Sequence, residues 1–107
     1  MRPVMHGDVV AAARVLRSEI PETRPALLAR LLRQTEQADR FRKDTGRVHF
    51  LWGDGSLMTA ALRRRPVPEP PLDDLDYCSC LAMVFEALVN RGHSLRRSGL
   101  SGRAAGV

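Results

Sequence analysis

Lysine is almost missing from this chain: of 17 basic residues, 16 are arginine and Lys43 is the exception. Aromatic residues are scarce too, comprising Phe41, Phe50, Trp52, Tyr77 and Phe85. The core must therefore be built from Leu, Val, Ala and Met, the usual filling of a helical protein. No apolar run reaches the ~18 residues that would cross a bilayer. The opening "MRPVMHGDVVAAARVL" has no long apolar stretch followed by a small-residue cleavage site, so no signal peptide is expected. A cytoplasmic location is the default expectation, with no role at a membrane.

The two cysteines, Cys78 and Cys80, are too few for a disulfide framework. On a helix, positions i and i+2 point about 200° apart, so the pair cannot grip one metal. His6, His49 and His93 are scattered without ligand spacing. No carboxylate pair stands in an apolar setting that would tune its pKa. Asp73, Asp74 and Asp76 cluster where a helix N-terminus attracts acids for dipole reasons alone. The expectation is a protein that is not an enzyme and needs neither metal nor cofactor.

What is present is one domain's worth of helix. A chain of 107 residues suits a single domain, and one of this size buries roughly two-thirds of its unfolded surface. "GDVVAAARVL" places Asp8 as an N-cap and predicts a helix over 8–18. Pro21 and Pro25 then mark a turn and a new start. Leu27, Leu28, Leu31, Leu32, Thr35, Ala38 and Phe41 recur at three- and four-residue steps and predict a helix over 24–44. Glu36 and Arg40 form an i,i+4 pair on its outer side, and Gly46 is the expected C′ residue.

The stretch "HFLWGDGSLMTAALRRRP" concentrates the tryptophan, a histidine, an aspartate, two glycines and a serine. A phosphate-cradling loop requires a following Lys-Ser or Lys-Thr, which is absent, and Asp54 would repel an anion. Ser56 has no base in reach of a triad pattern, and calcium-ligand spacing is lacking. The stretch reads instead as a helix start: Gly53 and Gly55 turn the chain, Phe50 and Trp52 flank the turn as anchors into the core, Ser56 caps, and Leu57, Met58, Ala61 and Leu62 line a helix over 57–65.

Four prolines between Pro66 and Pro71 make a stiff, extended connector. A last helix is predicted over 74–91, ending near Gly92. It carries two apolar stripes: Leu75, Cys78, Ala82, Phe85 and Val89 on one side, and Tyr77, Leu81, Val84 and Leu88 about 90–100° round. A helix apolar on two sides is either central to its own fold or shared with another subunit. Tyr77, Leu81, Val84 and Leu88 are the candidates for subunit contact. Beyond Gly92, "HSLRRSGLSGRAAGV" lacks a period and is expected to be a flexible basic tail in isolation.

Net charge is +5, of which residues 93–107 supply three units with no acid among them. Arg63, Arg64, Arg65, Arg96, Arg97 and Arg103 are the candidates for nucleic-acid contact, giving salt-sensitive binding with little sequence preference. Two alternatives stay open: arginine enrichment also follows from genomic base composition, and Arg63–Arg65 also suit a helix C-terminus. The turn near Pro21 leads into a long helix whose polar face is mixed in charge, not mostly basic, so a sequence-reading helix-turn-helix is not expected.

Three segments, "MRPVMHGDVVAAARVL", "LWGDGSLMTAAL" and "LDDLDYCSCLAMVFEALV", resemble the small terminase subunit of bacterial gene transfer agents and other phage-like particles. The resemblance covers most of residues 1–92. It implies a DNA-packaging adaptor of the bacterial cytoplasm: a helical homo-oligomer, often a ring, that engages double-stranded DNA and recruits the large terminase, which carries the ATPase and nuclease. Helices 24–44 and 74–91 would then supply oligomer contacts and the tail from His93 would recruit the large subunit. The chain departs from that pattern in lacking the N-terminal helix-turn-helix, which implies weak, non-specific DNA binding. The alternative is a small helical interaction or regulatory module without DNA binding, its basic tail docking on an acidic protein.

Overall fold

The computed structural model describes residues 1–106, with side chains described for 1–97. The fold is all-α: α1 (His6–Arg17), a single 3-10 turn (Pro21–Thr23), α2 (Arg24–Thr45), α3 (Leu57–Leu62) and α4 (Leu75–Gly106). Among the described residues there is no strand, only one isolated bridge between His49 and Gly53.

The centre of the bundle is α1. Ala11, Ala12 and Ala13 are consecutive and all buried, and successive residues point about 100° apart, so this helix is covered over more than half of its circumference, with Val10, Arg14 and Arg17 half-buried on the remaining side. Alanine lets neighbouring helices approach closely. α3 and α4 both pack on α1, and α2 crosses α1 and α3. Leu16, Leu31, Leu57, Tyr77 and Val84 are the large, fully buried side chains at the contacts. Each such residue contributes roughly 1.5–3 kcal/mol relative to exposure.

Buried charges lock the helix ends. α1 starts two residues earlier than the sequence predicts, so Asp8 lies inside its first turn rather than capping it. Its carboxylate accepts from Met5 N at 2.7 Å and from Met58 N at 2.8 Å. One side chain thus holds the starts of α1 and α3 together. Gly7 lies close by: a Cβ there would come within 2.6 Å of the Met58 methyl carbon, so the flexible end of that side chain would have to move. Arg24, 4 % exposed, donates from Nε to the carbonyls of Leu16 and Glu19 at the end of α1. Its fork then holds Asp76 in the first turn of α4.

α2 forms as predicted and ends on Gly46 at φ 72°. Glu36 does not take the expected i,i+4 partner Arg40. It pairs with the Met1 ammonium and, at 3.0 Å, with Arg91 of α4, long-range cations that are better placed than the neighbour on its own helix.

Asp74 caps α4 by accepting from Tyr77 N at 2.9 Å. The helix does not stop near Gly92, as the sequence predicts, but runs to Gly106. Gly92 is not among the glycines at positive φ, so it forms no left-handed cap. At 1.5 Å per residue the 32 residues of α4 reach about 48 Å. All described side chains from Gly92 to Arg97 are exposed.

Candidate nucleic-acid interface

The loop between α2 and α3 is a helix start, as its sequence implies, and also a rigid finger. Ser56 Oγ accepts from Thr59 N at 3.2 Å, the N-cap of α3. Asp54 accepts from Ser56 N at 3.0 Å and from the Thr59 hydroxyl at 2.9 Å. Burial opposes ionisation of Asp54, but these bonds and the nearby Arg2 outweigh it and hold the carboxyl below its ordinary range. Gly53 and Gly55 sit at φ 89° and 94°. A Cβ on Gly55 would lie 2.7–2.8 Å from Asp39, and one on Gly53 would collide with Thr59. Both glycines are required by conformation and by space.

Ahead of this turn, His49 and Gly53 exchange backbone bonds of 2.9 and 3.1 Å. His49 Nδ1 closes the loop further, since it accepts from Leu51 N at 3.0 Å and Trp52 N at 3.2 Å. The imidazole is sandwiched by Phe50 and Trp52, with centroids at 5.0 and 4.6 Å and near-parallel planes. Phe41 meets it edge-on. Phe50 is not the core anchor that the sequence suggests: 75 % exposed, it forms the tip with Leu51, and Val48 is exposed beside them.

The arginine run follows directly. α3 ends at Leu62, three residues short of the predicted 65, because Pro66 forbids continuation and Arg65 turns to φ 52°. Arg63–Arg65 therefore stand beyond the helix, not in its last turn, and all three are exposed. They do not share a face. Arg63 donates to the Phe50 carbonyl at 3.3 Å and so lies against the finger. Arg64 lines a separate cleft with Glu19, Glu22 and Arg30. Among the described residues none of the three makes a salt bridge with a carboxylate. Arg96 and Arg97 are exposed on the distal part of α4. The side chain of Arg103 lies outside the described residues.

The proposed subunit stripe needs correction. Tyr77 and Val84 are fully buried in this chain's own core, and Leu81 and Leu88 pack partly buried against it. The other stripe is the outward one: Leu75 is 82 % exposed, Phe85 49 % and Val89 55 %. The Tyr77 phenol bonds Glu69 at 3.0 Å and anchors the proline connector; burial first, and this carboxylate second, push its pKa up to about 12. Cys80 is buried and Cys78 half-buried, both as free thiols. No group of three or more potential metal-ligating side chains occurs among the described residues, and none of their helices is long and apolar enough to cross a membrane.

Fold and surface define a small all-helical protein that carries an apolar finger beside unpaired arginines. The chain belongs to the family described as Domain of unknown function (DUF7742), which matches residues 2–88. No curated protein and no solved structure matches it.

Proposed function

We propose that this protein is a non-enzymatic DNA-packaging adaptor of the small-terminase kind. It binds duplex DNA weakly and without sequence preference, and it recruits a large terminase that supplies the ATPase and nuclease. The observation that carries the DNA reading is the exposed arginine run, Arg63 to Arg65, which stands clear of α3 with no carboxylate partner among the described residues. Guanidinium groups left in this state suit phosphate oxygens, and each phosphate neutralised releases counterions.

Self-association is the second element. The outward residues of α4, namely Leu75, Cys78, Ala82, Phe85 and Val89, step by three and four, the spacing with which one helix seats against another. A single polar face would have sufficed for an isolated subunit. The exposed distal part of α4, with Arg96 and Arg97, is the proposed contact for the large subunit. The same apolar stripe also supports a second reading, a helical interaction module without a DNA role.

DNA titration separates the two. Fluorescence anisotropy with a labelled duplex at low and moderate salt should give binding that weakens steeply with salt. Replacing Arg63, Arg64 and Arg65 with alanine should reduce affinity and lower the log–log salt slope by up to about three, roughly one per phosphate contact. Helicity should be unchanged. No binding by the unaltered protein at low salt excludes the adaptor and leaves the interaction module.

A further inference from the structure

We propose that the loop His49–Gly53 is a wedge that inserts the Phe50 and Leu51 side chains between base pairs of the bound duplex; this rests on the DNA-binding reading above.

Three observations converge on it. First, the tip is apolar and exposed, with Phe50 75 % accessible and Leu51 beside it, and neither side chain enters the core cluster. Second, the tip is held rigid from below. The His49–Gly53 backbone pair closes the base, His49 Nδ1 takes up the amides of Leu51 and Trp52, and the imidazole is stacked between Phe50 and Trp52. Rigid presentation lowers the ordering cost of binding. Third, the finger is flanked by cations. Arg63 is fixed to the Phe50 carbonyl, and Arg47 is exposed two residues before His49. Among the described residues neither forms a salt bridge with an acid.

An apolar tip between two cations matches a partner that is anionic outside and apolar inside. Duplex DNA is such a partner, with phosphates flanking a stack of bases. Minor-groove proteins use Phe and Leu in this way, unstacking a step and kinking the duplex while arginines hold the backbone. The wedge needs no sequence-specific hydrogen bond, so it agrees with non-specific packaging. Its preference would fall on easily unstacked pyrimidine–purine steps.

The test uses the full chain and a 20-base-pair duplex carrying a donor and acceptor dye at its ends. Trp52, the only tryptophan, serves as a second reporter because it stacks on His49 beneath the tip. The unaltered protein should shorten the end-to-end distance and change Trp52 emission on binding. The double variant Phe50→Ala, Leu51→Ala should bind about tenfold more weakly, as expected for loss of one stacked aromatic. It should keep its salt slope and its helicity and leave the duplex straight. Arg63→Ala should instead lower the salt slope by about one.

Unchanged affinity and bending in the double variant would overturn the wedge while leaving DNA binding intact. Absence of duplex binding by the unaltered protein would overturn the DNA reading and the wedge together. A Trp52 response to vesicles of one part phosphatidylglycerol to three parts phosphatidylcholine, with none to duplex, would also overturn it and reassign the finger to a lipid surface.

Discussion

Arg24 grips Asp76 through two bonds of 2.7 and 2.8 Å while its Nε donates to the Leu16 carbonyl near the end of α1 and to the Glu19 carbonyl just beyond it. One side chain at the start of α2 thus fastens the end of α1 and the start of α4. The charge-assisted bond to Asp76 raises the Arg24 pKa, and the guanidinium in turn holds Asp76 below its ordinary range. Arg24→Ala should destabilise the fold by about 2–3 kcal/mol, the range for losing charge-assisted bonds from a buried donor. Arg24→Lys should recover only part of this, since an ammonium cannot fill the bidentate geometry. Urea denaturation of the three proteins gives the comparison.

Asp8 should behave as two caps in one residue. Asp8→Ala removes the acceptor for both Met5 N and Met58 N and should cost about 2 kcal/mol, the upper end for a single cap. Asp8→Asn, which keeps one acceptor oxygen, should cost less. The midpoint of thermal unfolding by circular dichroism reads the order.

Two glycines at positive φ should respond differently to alanine. Gly46 faces open space at φ 72°, whereas Gly55 at φ 94° leaves a Cβ less than 3 Å from Asp39. Gly46→Ala should cost about 1 kcal/mol from backbone strain alone. Gly55→Ala should cost clearly more, because the clash is with the backbone and Cβ of a buried residue. Equal losses in the two variants would contradict the close approach of the α3 turn to α2.

Stability should fall in acid. The Met1 ammonium, followed by Lys43 and Arg42, holds the Asp39 carboxyl far below its ordinary value of 3.8, against the effect of burial. Glu36, Asp54, Asp74 and Asp76 are also lowered. Groups with depressed folded-state pKa bind more protons when unfolded, so their contribution is full above the unfolded values and is lost progressively as pH falls from those values through the folded ones. The thermal midpoint should be flat between pH 7 and about 5 and should decline steeply below about pH 4. A midpoint that rises on acidification would contradict these pairings.

The local features of this fold were legible in its residues, and the long-range ones were not. Leu27, Leu28 and Leu31 repeat with helical period, Gly46 ends α2 and Ser56 caps α3, each through contacts within one turn of chain. Arg24 and Asp76 are 52 positions apart, and Asp8 and Met58 are 50; no local pattern marks either pair. The two stripes of α4 were visible as equally apolar, but which one faces inward depends on where α1 lies against it. Tyr77 and Val84 won that position, and Phe85 and Val89 were left outside. The finger escaped notice for a related reason. Glycine and serine in "GDGS" announced the turn, whereas the rigidity of Phe50 and Leu51 comes from His49 folding back under them. A histidine directly ahead of an exposed pair is a weak signal by itself.

The most direct test of the adaptor is native mass by light scattering, on the full chain and on the double variant Phe85→Glu, Val89→Glu, each over a hundredfold concentration range. The account predicts a defined oligomer for the unaltered chain and a folded monomer for the variant. A strict monomer for the unaltered chain at every concentration would contradict it.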